Sequence, residues 1–532
     1  MVVSAEKHAS AVGLKILKEG GNAVDAAVAT GFALAVTYPE AGNIGGGGYM
    51  VIRLANGTTT SFDYREKAPA KASRDMFLDK DGHFVSSKSE FGYISVGVPG
   101  SVAGMLDALD KYGTMKREQV LAPAIRLAER GFPVGKGLAE VLNEKWREFK
   151  AFSSTMKAFT RRGKPYRAGD LLVQKNLAET LKRIARDGKD GFYAGKTAEL
   201  IVNEMEKGDG LISLADLKAY QALEKPVVTG TYRGFEIVSM GPSSSGGVVL
   251  IHLLNLLERY DLTASGFGTP RTISLMAEAM KLAYADRAEF LGDADFYPVP
   301  VKKLISKEYA DERAVLIDSV SATPSVKISH GTIPPHEGVN TTHYSVVDKW
   351  GNAVSTTTTI NSWFGSGIVV GGAGFFLNNE MDDFSGKPGT PNQYGLLGGE
   401  ANSIEPNKRM LSAMTPTIVL KDSEPYLVVG SPGGSTIITT VLQVILNVID
   451  HKMNVREAVN AVRIHHQWYP DTLFYEHNGL SKSVVRALKH RGYNVAERTG
   501  SQGSVQAILV DKKKGILYGA TDPRGHGAVA GY

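Results

Sequence analysis

The sequence predicts an α/β layered sandwich, on three observations. The first third repeats apolar residues at helical spacing, and the last two-fifths, beyond a proline-bearing segment at Ile333-Pro334-Pro335, alternates as strands do. No fixed-period repeat or low-complexity tract interrupts the two regions. Strands in two sets, with helices before and between them, bury their apolar faces most simply as stacked layers.

In chain order, residues 7–19 have helical spacing and stop at Gly20-Gly21, a C-terminal signal. A second apolar helix runs to about Val36 and is followed by the loop Gly42-Asn43-Ile44-Gly45-Gly46-Gly47-Gly48. The segments 49–54 and 58–64 alternate around Asn56-Gly57, a hairpin signature. From Pro99 to about Glu206 the pattern is mostly helical. A short strand is expected at 236–240, then a Gly-rich turn and helices at 248–259 and 273–290. Further strands are expected at 342–347, 353–360, 368–370, 417–420, 426–429, 507–510 and 517–520, with a helix at 436–449.

Composition sets limits. The chain has 532 residues, 43% hydrophobic and 22% charged, with 60 Lys+Arg against 55 Asp+Glu. That is ordinary globular material, neither disordered nor fibrous. A charge of +5 over this length does not imply nucleic-acid binding. Gly is over-represented, at 59 residues or about 11% against roughly 7%, which points to tight turns and close backbone approaches. There is no cysteine, so disulfides, thiolate nucleophiles and Cys-based metal sites are excluded. The absence suits an exported enzyme without identifying a compartment. The first ten residues lack a signal-peptide design, and the apolar run at 23–36 is short for a bilayer and carries Asp25. It reads as a buried helix.

Several familiar signatures fail. No window fits Gly-x-Ser-x-Gly or His-Glu-x-x-His. Gly191-Phe192-Tyr193-Ala194-Gly195-Lys196-Thr197 has three residues between its glycines where a phosphate loop needs four, so a plain helix start is expected at Gly195-Lys196. His465 and His466 adjoin in a strand-like run and point to opposite faces, which argues against a metal pair.

Four segments carry chemistry. Asn340-Thr341-Thr342-His343 opens a strand that is followed by the hydroxyl-rich run Ser355 to Thr359. On local grounds this is a threonine-rich hairpin. Asn361, Asn378, Asn379, Glu380, Asp382 and Asp383 follow, the carboxylates after an apolar run Phe375-Phe376-Leu377 that reads as a strand. Two carboxylates beside an amide suit an ammonium group; a solvated acidic turn or a calcium site reads equally well. The strand 426–429 leads into Gly430-Ser431-Pro432-Gly433-Gly434-Ser435 and then a helix. That arrangement frees backbone N–H groups for an anion or an oxyanion. Arg65 ends a strand among acidic neighbours. It reads as a surface ion pair, or as a two-point grip for a carboxylate.

Together these segments resemble the gamma-glutamyltranspeptidase family over nearly the whole chain. The blocks are Leu17 to Val28, Ala41 to Gly48, Arg65 to Ala70, Thr341 to Asp348, Leu377 to Phe384, Gly430 to Ser435 and Asp522-Pro523-Arg524. The resemblance implies a four-layer αββα sandwich of the N-terminal nucleophile hydrolase type. It also implies self-cleavage at Asn340–Thr341, giving a large subunit of residues 1–340 and a small one of residues 341–532 that remain one intertwined heterodimer. Thr341 is then the nucleophile, Thr359 its hydroxyl partner, and Gly433 and Gly434 the oxyanion donors. Arg65 and Ser412 hold the α-carboxylate of a γ-glutamyl unit, Asn361, Glu380 and Asp383 its ammonium, and Tyr394 belongs to a lid at 391–399. The implied substrates are glutathione and related γ-glutamyl compounds, with water, amino acids or peptides as acceptors. No metal or organic cofactor, nucleic acid or membrane span is implied, and the implied location is the periplasm or outside the cell.

One departure stands out. The family commonly has two adjacent serines where this chain has Ser412-Ala413. A hydrogen bond from a hydroxyl to a carboxylate is worth about 1.5–3 kcal/mol, roughly one to two decades in binding. Ala413→Ser is therefore expected to lower KM for a γ-glutamyl anilide; an unchanged KM would show that the hydroxyl is not missed. Two alternatives stay open on the sequence: an acylase of the same fold acting on glutaryl or cephalosporin side chains, and a non-catalytic amino-acid-binding module.

Overall fold

The computed structural model describes residues 1–161, 163–329 and 341–532. The expected processing residue Asn340 and the segment Ile333-Pro334-Pro335 lie outside the described residues.

Thirteen strands make two sheets. They are β1 (Val2–Ser4), β2 (Gly47–Arg53), β3 (Thr59–Asp63), β4 (Leu223–Lys225), β5 (Val228–Tyr232), β6 (Phe235–Ser239), β7 (Thr342–Val347), β8 (Ala353–Thr359), β9 (Thr417–Lys421), β10 (Glu424–Gly430), β11 (Gln506–Asp511), β12 (Ile516–Thr521) and β13 (Ala528–Ala530). One sheet is seven-stranded, in the order β13-β1-β7-β8-β2-β3-β4; the other is six-stranded, in the order β12-β11-β10-β9-β6-β5. Five helices matter for the site: α1 (Lys7–Lys18), α2 (Ala23–Thr37), α3 (Gly246–Glu258), α4 (Pro270–Phe290) and α5 (Ile437–Ile449).

The layering follows from period-two alternation with apolar residues on both faces of each sheet. Along β2, Met50 and Ile52 join the core shared with α1 and α2, while Tyr49 and Val51 join the core between the sheets. Along β10, Leu427 and Val429 face the core shared with α3, α4 and α5, and Val428 faces the other sheet. Three apolar layers between helix, sheet, sheet and helix make the four-layer αββα sandwich that the resemblance implied. Helix α2 is buried along its whole length, so it shows no polar stripe. Its start is fixed by a capping box in which Asn22 accepts from Asp25 N–H and Asp25 accepts from Asn22 N–H.

Most expected elements appear within a residue or two of their sequence positions, and Gly195 does begin a plain helix, Gly195–Met205. Two expectations need correction. Residues 368–370 and the run Phe375-Phe376-Leu377 are not strands of either sheet. They form a narrow antiparallel turn with one bridge, Val369 to Phe376, because Gly372 and Gly374 at positive φ fold the chain back at once and the aromatic rings enter the core instead of a ladder. The short strands β1, β4, β5 and β13 gave no alternating signal, since their places depend on neighbours distant in sequence.

The glycine loop before β2 is explained by packing. A Cβ on Gly45 would sit 2.0 Å from the Phe376 carbonyl oxygen, and one on Gly46 would sit 2.1 Å from the Thr359 carbonyl oxygen. Only glycine lets this loop press against β8.

Three histidines are sealed in the C-terminal part of the chain, after residue 340. His343 hydrogen-bonds Thr357 Oγ1 at 2.9 Å and Ser345 Oγ at 3.1 Å, and burial lowers its pKa to about 3. Burial likewise lowers His465 to about 3 and His466 to about 4. His343 is thus a neutral spacer between the sheets and not an acid or base for its neighbour Thr341. Because the unfolded chain binds protons at these positions near pH 6.5 and the folded chain does not, their contribution is full above pH 6.5. It is lost as pH falls toward 4 and below, at about 2 kcal/mol each by pH 5. Melting temperature is expected to drop between pH 7.5 and pH 5, and His343→Gln to reduce that drop. An equal drop in the variant would remove His343 from the account.

Candidate active site

The site is assembled at the ends of the two central strands. The antiparallel register pairs Thr358 with Thr342, so Thr341 and Thr359 fall opposite one another at the same edge. Thr341 is 5% exposed, and both threonines line one cavity. Asn361 N–H donates to Thr359 Oγ1 at 2.7 Å, which orients that hydroxyl.

Gly434 lines the same cavity, and Gly433 precedes it. Their φ angles, 146° and 52°, are both in the glycine-favouring region. The loop is held by Thr436, whose N–H and Oγ1 both donate to the Gly433 carbonyl, at 3.0 and 2.9 Å. Helix α5 then starts at Ile437, so the loop presents backbone N–H groups at a helix N-terminus. Gly430, where β10 ends, lies so close to His343 that a Cβ would be 2.3 Å from the ring.

Arg65 is fully buried, which corrects the surface-pair reading. Its guanidinium donates through Nη1 to Glu380 and through Nη2 to Asp383, and through Nε to the Met410 carbonyl at 3.2 Å. Glu66 Oε2 lies 3.6 Å from Nη1. Asp63 sets the turn that delivers it, accepting from Arg65 N–H at 3.1 Å while Arg409 Nε lies 3.4 Å away. Burial raises Glu380 well above the ordinary carboxylate range, against the pull of Arg65. Burial likewise raises Asp383, and it raises Glu66 to about 7. Arg65 stays charged: burial alone pulls it down, but Glu380 and Asp383 hold it well above its ordinary value.

The carboxylates ride on a 3₁₀ turn, Glu380–Asp383, not on a strand end. Asn378 pins that turn: its Oδ1 accepts from Glu380 N–H at 3.0 Å, and its Nδ2 donates to the Gly45 and Gly97 carbonyls at 2.9 and 2.8 Å. Asn379 braces Asn361, accepting from its Nδ2 at 3.0 Å through the backbone carbonyl. Tyr394 hydroxyl donates to Asn361 Oδ1, which fastens the segment 391–399 over the cavity, and Gln467 Nε2 donates to the Gly395 carbonyl at 2.9 Å. Asp382 points away from the cavity, accepting from Ser89 Oγ at 2.6 Å.

Ser412 and Ala413 form another wall. Ser412 Oγ accepts from Met414 N–H at 3.0 Å. The structure therefore brings together on one wall or another Thr341, Thr359, Gly434, Arg65, Asn361, Glu380, Asp383, Tyr394, Ser412 and Ala413. Sequence reasoning missed Arg287, which also lines the cavity from the last turn of α4. The same helix carries Arg271, Glu278, Lys281, Asp286 and Glu289, so no local signal singled Arg287 out. Among the described residues the one compact cluster of metal-ligand type is Asp79, Asp81 and His83, exposed and away from these walls.

The sequence model of a family described as Gamma-glutamyltranspeptidase matches residues 9–532. A glutathione hydrolase proenzyme from Escherichia coli (strain K12) is 53% identical, over 98% of this chain and 90% of that protein. An acylase ACY 1 proenzyme from Pseudomonas sp. (strain SE83) is 38% identical, over 99% and 92%. Among solved structures, a cephalosporin acylase from Bacillus halodurans superposes with a TM-score of 0.87 at 28% identity, covering 100% of this chain and 95% of that one. A Helicobacter pylori gamma-glutamyltranspeptidase gives 0.61 at 51% identity, covering 63% and 96%.

Proposed function

The chain belongs to the gamma-glutamyltranspeptidase family, and from that premise we propose that it is a self-processing γ-glutamyltransferase and glutathione hydrolase whose nucleophile is Thr341. The observation that carries this reading is the meeting, in one cavity, of a strand-end threonine, a positive-φ glycine loop and a buried guanidinium–carboxylate cluster. An acylase is the second reading, favoured by the acylase relative and the cephalosporin acylase superposition. The Glu380–Asp383 pair weighs against it, since a glutaryl group has no ammonium to place there.

In the uncut chain the Thr341 nitrogen is an amide and offers no base. Thr341 Oγ attacks the Asn340 carbonyl carbon, the peptide becomes an ester, and water opens the ester to leave the Asn340 carboxylate and a free Thr341 amine. That the H. pylori chain is matched over 96% of its length but covers 63% of this one supports such a division, because the 340 of 532 residues ahead of the bond are a similar share. The released α-amine has an ordinary pKa of about 7.7–8.0, matched to a base working near neutral pH.

Catalysis then runs within one residue. The amine takes the Oγ proton as Oγ attacks the γ-amide carbon of the donor. Backbone N–H groups of Gly433 and Gly434 stabilise the oxyanion. The proton passes to the leaving nitrogen as the C–N bond breaks, which leaves a γ-glutamyl ester on Thr341. Water resolves the ester to glutamate; an amino acid or peptide resolves it to a transferred product. Thr359 steers Oγ. Glu380, Asp383 and Asn361 face the donor ammonium, with Arg65 and Ser412 toward its carboxylate. No helix among the described residues is long and apolar enough to cross a membrane; a location outside the cytoplasm suits the cysteine-free sequence.

The test is a denaturing gel with N-terminal sequencing of the smaller band, beside rates on γ-glutamyl and glutaryl anilides. Two bands, the smaller starting at Thr341, and a preference for the γ-glutamyl anilide are expected. A preference for the glutaryl anilide would establish the acylase reading, and one inert, uncut band the binding module.

A further inference from the structure

The loop 42–48 carries one polar side chain, Asn43, which is 6% exposed and does not line the cavity. Its amide is nevertheless used at both ends. Nδ2 donates to the Thr359 carbonyl at 2.8 Å, and also reaches the Ala41 carbonyl at 3.1 Å and Thr358 Oγ1 at 3.3 Å. Oδ1 accepts from Gly46 N–H at 2.9 Å and from Ser101 Oγ at 2.8 Å. A buried amide satisfied at both ends has one orientation and passes it to its partners.

Those partners join a rigid element to the reacting end of β8. Ser101 opens the helix Ser101–Tyr112, and the N–H groups of Gly100 and Ser101 donate to the Gly46 carbonyl at 2.7 and 2.9 Å. Thr359 is the last residue of β8 and is gripped at two atoms: its carbonyl by Asn43 and its hydroxyl by Asn361 N–H. The same loop serves the other half of the cavity through a separate arm, since the Gly45 carbonyl accepts from the Asn378 Nδ2 that braces the Glu380 turn. We propose that Asn43 is a positioning residue: its Nδ2 sets where Thr359 sits, and through Thr359 the aim of the Thr341 hydroxyl. It touches neither the donor nor the reacting atoms, so its effect falls on the chemical step and not on donor binding. This rests on reading Thr341 as the nucleophile and Thr359 as its hydroxyl partner.

The experiment compares Asn43→Ala, Asn43→Asp and Ser101→Ala with the parent. Splitting is followed on a denaturing gel, and kcat and KM for γ-glutamyl anilide are measured on the split protein. Asn43→Asp keeps the shape and the Oδ1 contacts but offers a carboxylate oxygen where Nδ2 donated; Ser101→Ala loosens the loop and leaves Nδ2 in place. Misplacing a catalytic group by about 1 Å costs on the order of 10²-fold. Both Asn43 variants are therefore expected to lower kcat about 10- to 100-fold and to slow splitting, with KM within about threefold. Ser101→Ala should stay within about threefold of the parent in every measure. Parent-like kcat in Asn43→Asp, a KM rise as large as the kcat loss, or an equal kcat loss in Ser101→Ala overturns the proposal, because each is what a loop-filling role alone would give. If Asn43→Ala does not fold, Asn43→Asp against Ser101→Ala decides by the same criteria. A parent that splits at Thr341 but ignores γ-glutamyl anilide would refute the premise, and the proposal with it, before any variant is compared.

Discussion

Thr341→Ala is expected to run as a single uncut band and to lose turnover by roughly 10⁴-fold or more, the scale on which removing a covalent nucleophile acts. Two functions should vanish together because, in the proposed mechanism, one hydroxyl serves both. Without Oγ there is no attack on the preceding carbonyl, so no amine is released, and no acyl acceptor remains at the cavity. The fold itself should persist: Thr341 precedes β7, whose ladder to β1 and β8 is made by residues from Thr342 onward. Thr341→Ser keeps a hydroxyl and should still split, more slowly. A Thr341→Ala protein that splits at the same bond, or an unsplit parent that releases glutamate at full rate, would move the chemistry to another group.

Arg65→Leu is expected to give the largest loss of stability. Glu380 and Asp383 have their charge partner 315 and 318 residues away, and Glu66 is stacked against the same cation. Removing one partner of a buried ion pair costs about 3–5 kcal/mol, because the remaining charge is left without compensation. The loss has a pH signature with a definite sign. Burial already raises these carboxylates in the parent, against the pull of Arg65; with no cation their folded-state pKa values rise further above the unfolded values near 4. The folded state then holds protons that the unfolded state releases. Destabilisation is therefore greatest at pH 8 and relieved toward pH 5, opposite to the trend expected from the buried histidines. Thermal melts of parent and variant at pH 5 and pH 8 measure this directly; a variant deficit that does not shrink at pH 5 would show that the carboxylates are not what destabilises it. Activity on γ-glutamyl anilide should be lost in parallel, since Glu380 and Asp383 no longer have fixed positions.

The sequence by itself determined the helices with regular apolar spacing, the Asn56-Gly57 hairpin, the glycine loop ahead of α5, and the threonine that opens β7. Each is a local pattern whose physical cause lies within a few residues: a period of 3.6 or 2, a turn type, a helix start. What only the tertiary structure decided is pairing across the chain. Arg65 sits among Asp63 and Glu66, so its local context reads as a surface pair, yet it is sealed inside and its partners come from the turn Glu380–Asp383. The run Phe375-Phe376-Leu377 looks like a strand, but a strand needs a neighbour to ladder with, and glycines at positive φ turn the chain back before one is reached. Arg287 lies on a helix that reads as core, and it becomes a site residue only because α4 ends against the Ser412-Ala413 wall. Charge compensation and cavity walls depend on which distant segments the layers bring together, and that is set by burial of the whole sheet pair, not by the residues next in line.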